Sequence, residues 1–114
     1  MLEKMKACID ACLNCALECA RCATECLAEK EVAMHLRCIQ LCRECATISN
    51  TAAQLMGIGG EHATACCHVC AEICEVCAEE CEKHASHGTD HCKRCAEACR
   101  RCADECRTIT GVNA

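Results

Sequence analysis

Cysteine recurs along this chain at helical intervals. Steps of four and three residues link Cys8, Cys12, Cys15, Cys19, Cys22 and Cys26. The same alternation links Cys67, Cys70, Cys74, Cys77 and Cys81, and then Cys92, Cys95, Cys99, Cys102 and Cys106. A shorter run holds Cys38, Cys42 and Cys45, and Cys66 stands one residue off the Cys67 seam. Such steps keep side chains on one face of an α-helix, and in a helical bundle that face is the core. Thiols therefore occupy the positions that normally hold Leu or Ile. Deprotonated, they are soft ligands that select Cu(I), Zn(II) or iron–sulfur clusters.

Charge, geometry and ligand type rank these metals. One Cu(I) per thiolate leaves no net charge, whereas five isolated zinc sites of four thiolates would bury about −10. Two in-line metal–sulfur bonds span about 4.6 Å, which suits thiols three or four residues apart or facing one another across a core. Zinc fingers place Cys and His pairs in loops with characteristic gaps, and loop spacings such as C-x₂-C-x₂-C hold iron–sulfur clusters. The helical thiols here match neither pattern. With bridging thiolates the expected capacity is about one Cu(I) per Cys, or about 20 ions, and loading is expected to release about one proton per ion.

Histidine and methionine extend the seams. His35 lies three residues before Cys38, His84 three after Cys81, His91 adjoins Cys92, and His87 falls in a loop between two seams. The four would meet at one end of a bundle, near Met34, as an entry mouth of weaker ligands that pass ions inward. The plainer reading is solvated histidines at helix ends. Met5 and Met56 continue seams at the opposite end, where a plug of the core is the first expectation and ligation the second. Leu55, Ile58 and Ile109 are expected to help close that end. His62 is expected to be exposed, with ligation at that end the second reading, and His68, one step off its seam, is expected at the surface or in a subunit contact and not as a ligand.

Four helices must position these groups. The spacing predicts Glu3–Leu27, Val32–Met56, Glu61–His84 and a fourth helix to Thr110, capped at Thr89 or Asp90. Gly57 is the expected left-handed cap of the second helix. The first connection holds neither Gly nor Pro. There the thiol face changes phase between Cys26 and Cys38, which implies a turn near Ala28–Glu31. Short connections give an antiparallel up-down-up-down four-helix bundle, an all-α single domain over residues 1–114 with a cysteine-lined core. Toward the closed end the second seam continues as Ser49, Ala52 and Met56. Alanine beside the cysteines supports the helices. The acid-first pairs Glu79–Lys83 and Glu97–Arg101 read as a solvated face.

Composition excludes several functions. The chain has no Phe, Tyr, Trp or Pro and a net charge of −5. Without a basic stripe or stacking platform it is not expected to bind nucleic acid. No stretch approaches the ~20 apolar residues of a membrane span, and the start lacks the apolar core of a secretory signal, so a cytoplasmic protein with reduced thiols is expected. A disulfide scaffold is disfavoured: Cβ atoms three or four residues apart on a helix are ~5–6 Å apart, against ~3.8 Å in a disulfide. Thiol redox chemistry favours a Cys-x-x-Cys exposed at a helix N-terminus, and most pairs here fall mid-helix. A metallothionein-like zinc or cadmium buffer is the main alternative to copper. A small-residue core of Cys and Ala buries less apolar area than one of Leu, so the metal-free fold is expected to be only modestly stable.

These seams, running inward on four antiparallel helices over about Glu3 to Thr110, resemble those of the cytosolic copper storage proteins. The resemblance implies a bundle that fills with Cu(I) along its axis, a homotetramer, and a non-enzymatic role in storage and detoxification of copper. It implies that the twenty cysteines are the ligands, Cys66 being the least secure. The open end of the family supports a mouth at His35, His84, His87 and His91. Ser49 and Ala52 depart from complete filling of the second helix.

Overall fold

The computed structural model describes residues 2–111. Four α-helices form, α1 Leu2–Leu27, α2 Leu36–Gly57, α3 Ala63–Ala85 and α4 Asp90–Thr110, with a 3₁₀ turn over Val32–His35 leading into α2. α1 and α3 each pack on α2 and α4, in a body 46 × 24 × 18 Å. The helices alternate in direction, as paired sulfurs show. Cys8 meets Cys106 and Cys22 meets Cys92, so α1 and α4 run opposite ways. Cys38 meets Cys81 and Cys45 meets Cys74, so α2 and α3 do too. Cys42 meets Cys95 and Cys45 meets Cys99, so α2 and α4 run the same way and α1 and α2 run opposite ways; the expected up-down-up-down bundle is the fold.

The boundaries differ from expectation in three places. The second helix begins as the 3₁₀ turn, not as α-helix from Val32. α3 starts at Ala63, two residues after Glu61. Gly57 is the last residue of α2, and the left-handed position belongs to Gly59, at φ 64°. Its N–H bonds the Met56 carbonyl at 3.1 Å and the Gly60 N–H bonds Leu55 at 2.9 Å. These are the two bonds of a Schellman motif, which requires positive φ at the residue that Gly59 supplies. Thr89 occupies the position before α4 in extended backbone, but its hydroxyl makes no capping bond.

The turn after α1 forms without glycine or proline. Ala28 and Glu29 bond back to Glu25 and Cys26 at 3.1 and 3.2 Å, a 3₁₀-type tightening that satisfies carbonyls at a helix end. At the opposite end Met56 is 1% exposed and is the largest fully buried side chain among the described residues. Met5, Leu55 and Ile109 pack around the core there, but Ile58 is 77% exposed and closes nothing. Outside, Lys83 pairs with Glu80 at 3.6 Å and not with Glu79. Among the described residues Glu97 and Arg101 form no ion pair. The charged face is instead joined by Arg100–Glu82, Arg94–Glu25 and Arg107–Glu75 contacts between helices.

Candidate metal centre

The bore is lined by sulfur from end to end. Every cysteine except Cys66 is buried, none more than 1% exposed. Helical periodicity alone accounts for this: each seam turns one stripe inward, and alanines beside it (Ala11, Ala23, Ala53, Ala78, Ala103) let the helices close on the thiols. Sulfur contacts run without a break. Near the methionine-plugged end Cys8 and Cys12 lie 3.6 and 3.8 Å from Cys106, and Cys12 lies 3.6 Å from Cys102. At mid-bore Cys15 touches Cys45, Cys74 and Cys99 at 3.6, 3.9 and 3.7 Å. Further along, Cys19 meets Cys95 at 3.6 Å, Cys42 meets Cys77 and Cys95 at 3.8 and 3.7 Å, and Cys81 meets Cys38 at 3.6 Å. Cys70 joins Cys74 at 3.8 Å.

Sets of four ligand atoms lie within 4.8 Å of one another, among them Cys12–Cys70–Cys102–Cys106, Cys19–Cys77–Cys95–Cys99 and Cys22–Cys42–Cys81–Cys95. This fourfold clustering goes beyond the neighbouring and facing thiol pairs that the spacing suggested. It arises because four inward stripes converge on one axis.

Ser49 replaces a thiol in this wall. It is fully buried, and its Oγ lies 3.6 Å from Cys70 and 3.9 Å from both Cys45 and Cys74. Beyond it α2 contributes Ala52, Ala53 and Met56, so that end of the bore is sulfur-lined on three sides. Cys66 is half-buried and packs against the outside of the core, and burial pushes its thiol above the usual range. Inside the bore, sulfur contacts set proton affinities apart. The contact with Cys15, with burial, pushes Cys45 up to about 11. Cys95 is lowered to about 7, its contact with Cys19 being the largest cause. Such a wall holds protons unevenly and can surrender them to a metal that binds sulfur more strongly.

The histidines separate by environment. His91, the second residue of α4, is buried, with Nδ1 3.5 Å from Cys22 Sγ, 3.6 Å from Cys92 and 3.9 Å from Cys26. These four form one of the candidate ligand sets. Its Nε2 lies 3.0 Å from Glu29 Oε1. Burial opposes a charge on the ring, but the bond to Glu29 and the nearby Cys22 outweigh it and raise the pKa. His35 is buried and stacks on His84, ring centroids 4.4 Å apart. Its Nδ1 is the one buried side-chain nitrogen or oxygen without a hydrogen-bond partner among the described residues. His84 bonds Glu80 Oε2 at 3.0 Å. His87 is exposed in the turn before α4, and Met34 is 67% exposed. His62 and His68 are exposed, as expected, beside Glu61 and Glu72. The partners Glu29 and Glu80 escaped sequence reasoning. Glu29 continues the first seam three residues beyond Cys26, where the turn was expected, and Glu80 stands beside Cys81; only the fold brings each to an imidazole.

A bundle of four antiparallel helices around a sulfur-filled axis defines a protein built to bind soft metal ions through thiolates. Residues 1–111 match the family model described as Csp, copper storage protein, and the chain belongs to that family. Solved structures agree. The Cu(I)-bound copper storage protein BsCsp3 is 41% identical over 94% of this chain and 98% of its own, with a TM-score of 0.87. Apo-Csp3 from Bacillus subtilis is 42% identical over 93% and 98%, TM-score 0.85. A cytosolic copper storage protein from Streptomyces lividans, solved with five coppers, is 35% identical over 96% and 94%, TM-score 0.92. No curated protein matches the chain.

Proposed function

We propose that this protein stores Cu(I) and limits its toxicity by binding many ions to the thiolates that line the bundle. The unbroken run of buried sulfurs from Cys8 to Cys92 carries this reading. Monovalent copper neutralises those thiolates one for one, and a dry bore accepts a neutral load far more readily than a charged one. The nineteen bore cysteines are the ligands, Cys66 a peripheral one. His91 completes the set at the open end, and His35, His84 and His87 form the approach to it. Family membership supports a binding role and no catalytic one.

The thiol sulfurs in contact lie 3.5–4.0 Å apart, closer than the about 4.6 Å of an in-line bridge. Entry of each ion therefore turns cysteine side chains apart, which χ1 rotation accomplishes without moving a helix. The same short distances favour one second reading. A tetrahedral ion with bonds of about 2.3 Å has edges of about 3.8 Å, so the four-sulfur sets would also fit Zn(II) or Cd(II). Charge weighs against it, because each four-thiolate site keeps −2 in the core. Anaerobic Cu(I) titration of the reduced protein decides the matter. Saturation near 20 ions is expected, with about one proton released per ion and a sulfur-to-copper ultraviolet band rising in step. Saturation near five would reject the copper reading.

The chain acts as one domain, in the cytoplasm, as a homotetramer. The cytosolic relative from Streptomyces lividans supports the location, and no described helix is long and apolar enough to cross a membrane. Exposed Leu13 and Leu17 on α1, with Val69 and Val76 on α3, support self-association through outer faces. Light scattering of the reduced protein reads the assembly directly.

A further inference from the structure

We propose that Glu29 is a positioning residue: its carboxylate holds His91 so that Nδ1 joins Cys22, Cys26 and Cys92 as the fourth ligand at the open end of the bore. The inference rests on the copper-storage reading and adds to it a residue that never touches the ion.

An imidazole presents two nitrogens, and in the neutral ring one donates while the other accepts. Which does which is set by the hydrogen bond the outer nitrogen makes. Glu29 Oε1 sits 3.0 Å from Nε2, and an ionised carboxylate can only accept. The hydrogen therefore belongs on Nε2 and the lone pair on Nδ1, the atom that faces three sulfurs at 3.5–3.9 Å. A ring turned over by half a rotation would place a carbon against the carboxylate and another against the thiols. The bond to Glu29 thus selects both the tautomer and the orientation.

The fold builds this bond from two elements. His91 is fixed at the start of α4. Glu29 is fixed by the tightened turn after α1, where its own N–H bonds the Cys26 carbonyl at 3.2 Å. Cys26 is itself in the four-ligand set, so a ligand and the positioning carboxylate are three residues apart on one rigid turn. The second carboxylate–histidine pair, Glu80 with His84, is a contrast. There the ring lies against His35, not against thiols. Among the histidines of the open end, His91 alone has both a carboxylate behind it and sulfur in front.

Outer partners of this kind are typically worth about 10- to 100-fold in metal affinity. The test uses the full reduced chain as wild type, Glu29→Ala, Glu29→Gln and His91→Ala. Ring ¹⁵N shifts in the metal-free protein, taken above the pKa of His91, should show the Nε2–H tautomer in wild type and a mixture in Glu29→Ala. Competition with a Cu(I) chelator reads the first ions bound. Glu29→Ala should bind them about 10-fold or more weakly, and His91→Ala at least as weakly. Glu29→Gln should lie in between, because its amide oxygen still accepts; being near-isosteric, it carries the comparison if the alanine variant does not fold. Wild-type affinity in Glu29→Ala, or in His91→Ala, would overturn the inference while leaving storage intact. So would an unchanged tautomer in Glu29→Ala. A wild type that takes up no Cu(I) would defeat the storage reading and the inference with it.

Discussion

Ser49 shows how much a single side chain decides in this bore. Its hydroxyl occupies a sulfur position, fully buried and within 4.0 Å of four cysteines. The hydroxyl is a hard, neutral donor that adds no anionic charge for a copper ion to neutralise. Replacing it with thiol restores the missing rung at almost the same volume. Ser49→Cys should therefore take up about one further Cu(I), counted by metal analysis of the saturated protein. An unchanged count would mean that the bore does not fill along α2. At this scale the sequence was nearly transparent for cysteine, because a strict three-and-four spacing has one inward face to occupy. It was opaque for Glu29 and Glu80. A carboxylate among 17 acidic residues carries no mark of its partner, and contacts across helices depend on the relative rotation of elements, which periodicity does not supply.

Among the helices, Glu80 ties α3 to α2. Its carboxylate, 10% exposed, accepts from Arg37 Nη1 at 2.7 Å and lies 3.0 Å from His84 Nε2 and 3.6 Å from Lys83 Nζ. Burial raises its pKa, but His84 and Arg37 together lower it below the usual carboxylate range. A carboxyl whose folded pKa is depressed contributes stability above its unfolded pKa of about 4.3 and loses it as pH falls through the folded value. Metal-free wild type should hence lose stability on acidification below about pH 4, and Glu80→Gln should lack that part of the slope. Denaturant unfolding at neutral and acid pH measures both; parallel curves for the two proteins would contradict this role. Helix existence was legible from the seams, and the phase shift between Cys26 and Cys38 located the first turn. The ends were less so. Gly57, Gly59 and Gly60 are close in sequence, and only backbone hydrogen bonding shows that the chain turns left-handed at Gly59. The 3₁₀ start at Val32–His35 likewise has no breaker residue to announce it.

As a whole the molecule is a container whose walls are the ligands for what it holds. Its core is mostly cysteine and alanine, with Met56 the largest fully buried side chain among the described residues, so the hydrophobic contribution per residue is small. Ions that bind only the folded chain add stability by mass action, about 4 kcal/mol per site at a thousandfold excess over Kd. For a chain of this size one such site corresponds to roughly 15 °C or more. Copper-loaded protein should accordingly melt at least that far above metal-free protein, as read by circular dichroism under anaerobic conditions. Equal melting temperatures would place the ions outside the fold. Anomalous diffraction at the copper edge, from crystals loaded to saturation, tests filling of the bore most directly. A file of copper peaks should run along the bundle axis, each bound by sulfurs of the named cysteines and approaching one per thiolate. Peaks confined to the outer surface, or a few isolated ions each surrounded by four sulfurs, would contradict that filling.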